Sequence, residues 1–258
     1  MNAPVRIGVI AGNTLREAVR NKLLYSLLLF AVLMIASSVV LAELHLGFRV
    51  RIWRDVGLSA IALFGTLIAI FVGINLVNRE IGQKTVYTLL ARPVRRWEFV
   101  VGKYIGLAAL LAFQLGVMTC GFLAVLALND SSLSIGLFQA IGMIYVELIL
   151  LTAVALFFSS FTSPYLAGMF TVAIWVVGHL LGDLRAFGQH AELPALKGVM
   201  EFLYWGLPNL DLLDFKSEGA AVEIIESRRI MLAALYGLLY SVALLVASTL
   251  LFRRRDFT

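Results

Sequence analysis

Long apolar runs alternate with short polar breaks along most of this chain. The runs cover about residues 23–44, 56–77, 104–128, 137–158, 165–181 and 230–252. A hydrocarbon layer about 30 Å thick needs roughly 20 apolar residues in helical form. The pattern therefore predicts an all-α, polytopic membrane protein with six transmembrane helices in one domain, residues 1–258. Ahead of the first run, Ile7, Ile10, Leu15 and Val19 fall at roughly helical intervals, with Arg16, Arg20 and Lys22 on another face. That spacing predicts an amphipathic helix in the membrane interface, with Thr14 and Glu17 in a capping-box pattern.

The breaks are unequal. Residues 78–103 form the one long polar interruption of the first half, with six basic side chains (Arg79, Lys84, Arg92, Arg95, Arg96, Lys103) and two acidic ones (Glu80, Glu98). Ile81, Thr85, Thr88 and Leu89 share one helical face. Pro93 stops that helix, because the residue before a proline avoids the helical region. Trp97 and Phe99 then begin the next run. Such an element can be gripped on its apolar side and dock through its tip. The same periodicity also fits an ordinary basic interfacial loop. Residues 182–229 form the longest break, with eight acidic and five basic residues. Its middle, LKGVMEFLYWGLPNLDLLDF, is too apolar for a disordered linker. It predicts one or two short helices on the outer mouth of the bundle.

Composition agrees: 61% of the 258 residues are hydrophobic and 14% are charged, against about 25% charged in a soluble domain. The net charge of +5 fits basic residues flanking membrane spans better than a nucleic-acid surface. A single cysteine, Cys120, excludes an intrachain disulfide. The N-terminus lacks a signal-peptide pattern, because its first apolar run is too long and no small-residue cleavage site follows. Six spans place both termini on one side. With that side cytoplasmic, it collects thirteen of the twenty-one Lys and Arg residues, including residues 78–103. Arg49, Arg51 and Arg54 then fall in an outer turn, where pairing with Glu43, Asp55 or the acidic loop would explain them. Trp53 suits a membrane interface.

The candidate chemistry is sparse. Glu147 sits near the middle of the fourth run, and an intramembrane carboxylate points to function. It could line a translocation path, accept a proton, or bond Gln114 of the third run. A purely structural interhelical hydrogen bond is the plain alternative. His179 and Asp183 share a helix face, with His190 and Glu192 nearby, but these lack established metal-ligand spacing. No nucleophile motif frames any serine. Gly102-Lys103 is followed by Tyr104, so it is no phosphate loop, and G-x-x-x-x-G-K-[ST] occurs nowhere.

The order Glu80, Thr85, Leu89, Pro93, Arg96, Gly102, Lys103 resembles the loop after the second span of ABC-2-type permeases, the membrane subunits of type V (ABCG-like) ABC transporters. The opening NTLREAVRNKLLYSLLLF resembles the connecting helix and first span of their multicopper-enzyme-maturation subgroup. PNLDLLDF and the ending FRRRDF are also similar to that family. The resemblance implies a homodimer in a bacterial cytoplasmic membrane, docked on a separate cytoplasmic ABC ATPase that holds ATP and Mg, with no cofactor bound by this chain. It implies ATPase coupling through Glu80, Gln83, Lys84, Thr85, Leu89, Pro93, Arg96 and Lys103. The turn from Ser159 to Pro164 would make a second contact. Glu147 and Gln114 are candidates for the path, and the acidic outer loop for an extracytoplasmic partner protein. Two readings from other classes stand beside it: an intramembrane enzyme using Glu147 or His179, and a scaffold that anchors a cytoplasmic complex.

Overall fold

The computed structural model describes residues 3–43, 49–82, 95–129, 133–189, 194–221 and 224–254. Among these there is no strand. The helices are α1 (Ala3–Val19), α2 (Lys22–Glu43), α3 (Arg49–Gly82), α4 (Arg96–Leu128), α5 (Ile135–Ser159), α6 (Pro164–Gln189), α7 (Pro194–Gly206), α8 (Lys216–Ala220) and α9 (Ser227–Arg254), with a 3₁₀ turn at Asp211–Leu213. Five are individually long and apolar enough to cross a membrane: α3, α4, α5, α6 and α9. The pair α1 and α2, bent by 65°, passes the same test jointly, giving up to six spans.

Two helices form the centre. In the most apolar windows of α3 and α5, 72% of residues are buried, against 22% in α6 and α9, so the chain itself leaves most of the latter pair's surface uncovered. Small residues let the central helices approach. A Cβ on Gly65 would lie 2.8 Å from Leu148 Cδ1, and one on Gly57 would overlap the Phe122 ring. Around this core, α2 packs on α3 and α4, while α9 packs on α5 and α4. The ends of α5 and α6 follow from local chemistry. Ser134 accepts a hydrogen bond from the Leu137 amide (3.3 Å) at the start of α5. Pro164 opens α6 at the first helical position, where its missing N–H costs nothing.

Two expectations change here. The stretch expected to be an outer turn is the first part of α3. Arg54 is buried at 1% exposure, Arg51 and Asp55 are exposed, and Trp53 is in the core rather than at an interface. Arginine is a good helix former, so a cluster of arginines does not end a helix. Second, the region after α6, which holds the short helices α7 and α8, also folds back along α6. Met200 of α7 meets Gly188, Arg185 meets Tyr204, and the Leu210 amide donates to the Gly178 carbonyl (3.0 Å). Leu210, Leu213 and Phe215 join the main core. This re-entrant segment then returns through α8, which packs on α3 and α5, to α9.

Candidate functional site

Two places concentrate polar groups that a membrane helix would not otherwise tolerate. The first is the seam between α1 and α4. Glu98, in the first turn of α4, accepts from the Arg95 amide (3.1 Å) and from Arg6 Nη2 of α1 (2.8 Å). Its side chain is buried, so both bonds are made away from water, where charge-assisted bonds are strongest. One turn on, Ile10 presses on Gly102. Another turn on, Thr14 presses on Gly106, with the Ala11 carbonyl 2.7 Å from where a Cβ would stand. Contacts 6/98, 10/102 and 14/106 rise together, so α1 and α4 run parallel. Gly102 and Gly106 form a G-x-x-x-G that lets the two backbones meet, as small residues do in membrane helix pairs. The buried face of α1 is Ile10, Thr14 and Ala18, spaced by four.

The second place is the middle of the bundle. Glu147, at the centre of α5, is 2% exposed. His179 of α6 brings Nε2 to 3.4 Å from Glu147 Oε1. Its Nδ1 lies 2.9 Å from the Trp175 carbonyl, an acceptor only, so Nδ1 carries a hydrogen. A proton between Nε2 and the carboxyl group would satisfy both across the 3.4 Å that separates them. The Trp175 ring packs edge-on against His179 (5.7 Å between ring centres), and Lys216 and Asp214 of the segment after α7 act electrostatically on the carboxyl group. Those two are paired with each other at 3.0 Å. Elements from three parts of the chain thus converge on one buried acid.

The family profile described as ABC-2 family transporter protein matches residues 8–257. The chain belongs to the ABC-2 transporter family. No curated protein matches the chain. In this ABC-2 chain the residues expected to couple to an ATPase fall in different situations. Gln83, Lys84, Thr85, Leu89 and Pro93 lie outside the described residues. Glu80 belongs to the end of α3 and Arg96 opens α4. Lys103 is buried, with Nζ 5.8 Å from the Phe99 ring centre, beside the glycine that receives Ile10. It sits inside the α1–α4 region. Ser159 is also buried, and its hydroxyl has no hydrogen-bond partner among the described residues. The turn it begins is held by Thr162 Oγ1 donating to the Phe158 carbonyl (2.8 Å) and by packed rings of Phe157, Phe158, Phe161 and Phe170. Pro164 is exposed at the end of that turn.

Gln114 and Glu147 are not bonded to each other. Gln114 Nε2 donates to Met118 Sδ (3.8 Å) on its own helix, while Glu147 takes His179. Asp183, expected to share a face with His179, is exposed, and His190 and Glu192 lie outside the described residues. Sequence reasoning missed the α1–α4 seam, although G-x-x-x-G was there to be read. It also missed the convergence of His179, Asp214 and Lys216 on Glu147, which no local pattern signals.

Proposed function

We propose that this ABC-2 family chain is the membrane-spanning permease subunit of an ABC transporter, which moves a substrate using ATP hydrolysed by a separate cytoplasmic ATPase. The match over residues 8–257 carries this reading, because it makes nearly the whole chain a membrane component and leaves no phosphate loop within it. The end of the bundle where α3 finishes and α4 starts is the cytoplasmic end, by the weight of its basic residues. There residues 78–103 and the Ser159–Pro164 turn receive the ATPase. Glu80, Gln83, Lys84, Thr85, Leu89, Pro93 and Arg96 belong to the contact. Lys103 and Ser159 position it from inside. The α1–α4 seam supports the mechanism: it ties the exit of the docking stretch to the N-terminal helix, so a push on one moves both. Two copies enclose the path, with Glu147 and Gln114 as candidates to line it. The opening sequence favours the subgroup tied to multicopper-enzyme maturation.

The test is coexpression with a candidate ABC ATPase. The chain is expected to retain the ATPase through detergent purification. Glu80→Ala and Arg96→Ala are each expected to keep the complex and lower transport per ATP hydrolysed by about tenfold, the equivalent of roughly 1.4 kcal/mol. A complex that never forms would remove the ATPase from this reading, and unchanged coupling in both variants would remove the docking role of residues 78–103.

A further inference from the structure

At the end opposite the docking stretch, α7 carries an unusual surface. Its inner side, Met200, Leu203 and Tyr204, faces the bundle. Its outer arc is also apolar: Val199, Phe202 and Trp205 are exposed, the last two at 76% each, and Phe187 of α6 joins them. Lys197 and Glu201, four apart, share one edge of the arc, beside Tyr204. An aromatic face of this kind facing water would be costly.

Depth decides what it faces. The Gly206 carbonyl at the end of α7 accepts from Tyr240 (3.0 Å). Tyr240 lies thirteen residues into α9 from Ser227, about 20 Å along its axis at 1.5 Å per residue. The Leu210 contact with Gly178 lies eleven residues in from Gln189, about 17 Å along α6. The turn after α7 therefore reaches well down the bundle, while the contacts of Met200 with Gly188 and of Tyr204 with Arg185 keep α7 itself within about two turns of the outer end of α6, at the height of the membrane interface. Its outer arc continues the exposed apolar surface of α6 and α9, where Leu180, Leu235 and Leu239 are also bare.

Arg185, one turn from the end of α6, completes the feature. Its guanidinium carbon lies 4.2 Å from the Tyr204 ring centre and 5.9 Å from that of Trp205. It has no carboxylate at ion-pair distance among the described residues, and its Nε is buried without a hydrogen-bond partner. Stacking on Tyr204 orients the planar fork, and a planar guanidinium suits bidentate binding of phosphate. At that height the abundant phosphate is a lipid headgroup. We propose that Arg185, shelved on Tyr204, binds the phosphate of a phospholipid whose chains run inward past Trp205 along the exposed apolar surface of α6 and α9.

The test uses the full chain and neither transport nor an ATPase, so it can fail while the permease reading stands. Wild type and Trp205→Phe are placed in nanodiscs of phosphatidylcholine brominated in the acyl chains, and the difference isolates Trp205 from the other tryptophans. Its emission is expected to fall at least twofold with the brominated lipid and little with acrylamide. The reverse pattern would place the face in water, and resistance to both quenchers would mean that a second copy or another protein covers it; either overturns the proposal. In a second arm, delipidated protein in detergent is titrated with short-chain phosphatidylglycerol or with inorganic phosphate. A saturable change in Trp205 emission is expected with the lipid only, at least fivefold weaker in Arg185→Met. An equal response to inorganic phosphate would reduce the site to a small-anion site, and an unchanged Arg185→Met would remove the headgroup role.

Discussion

Gly106→Leu is expected to separate α1 from α4 and to lower the stability of the solubilised chain by about 1–3 kcal/mol, the usual penalty of forcing bulk into a packed contact. The apparent melting temperature should fall by several degrees. The reason is local and severe. Even the first added carbon would stand 2.6 Å from Thr14 Cβ and 2.7 Å from the Ala11 carbonyl oxygen. A side chain could turn away, but a backbone carbonyl cannot, so the whole helix must shift. That shift also draws Arg6 from Glu98, which sits two register steps toward the start of both helices. Gly116→Leu is the control: it lies on the same helix, and a Cβ there meets nothing within 4 Å. Thermal unfolding of both in detergent, with membrane insertion checked for each, decides the matter. Equal loss in both variants would mean that the glycines act through helix propensity and not through the α1 contact. If α1 carries force from the docking stretch, Gly106→Leu should also lower ATPase-driven transport more than Arg6→Ala, because it displaces the helix rather than one bond.

The seam shows how far the residues could be read in isolation. Long apolar runs show six of the helices because lipid selects for composition over length, whatever the fold. A helix at α1 was equally plain, but the stripe of Ile7, Ile10, Leu15 and Val19 differs from its buried face, which is Ile10, Thr14 and Ala18. Its partner was not plain, because a stripe of Ile10, Thr14 and Ala18 fits a lipid surface as well as another helix. Gly102 and Gly106 stand in the required spacing, yet the chain has 21 glycines, and only the tertiary contact singles these two out. The three arginines near position 50 misled in the other direction. Charge suggested a loop, whereas α3 continues through them and buries Arg54. In the same way, the aromatic content of residues 194–215 excluded a disordered linker. How deep the segment reaches depends on contacts with Gly178 and Tyr240, and local periodicity does not record depth.

The buried acid is where pairing matters most. His179→Leu is expected to destabilise the chain by about 1–3 kcal/mol, since breaking a buried polar pair leaves the other member short of a partner. Glu147→Leu combined with His179→Leu should recover much of that loss, because two apolar side chains need no partner. The Asp214–Lys216 pair then loses its electrostatic interaction with the carboxyl group and persists on its own, so recovery should be incomplete. Detergent melting of the two single variants and the double gives the coupling directly. A double variant no more stable than the worse single would show that Glu147 and His179 act independently. The same set separates architecture from transport. If the pair serves only to hold α5 against α6, the stable double variant should transport normally once reconstituted with its ATPase. If the shared proton, or the charge it controls, is used during the cycle, the double variant should be stable and at least tenfold slower. Glu147→Gln, which keeps the size but cannot ionise, should then share that defect. The geometry favours the second outcome. The Asp214–Lys216 ion pair of the segment after α7 acts electrostatically on the carboxyl group, so a change in the charge of Glu147 is felt by an element outside the two spans. A purely structural bond between two spans would not need that third element at all.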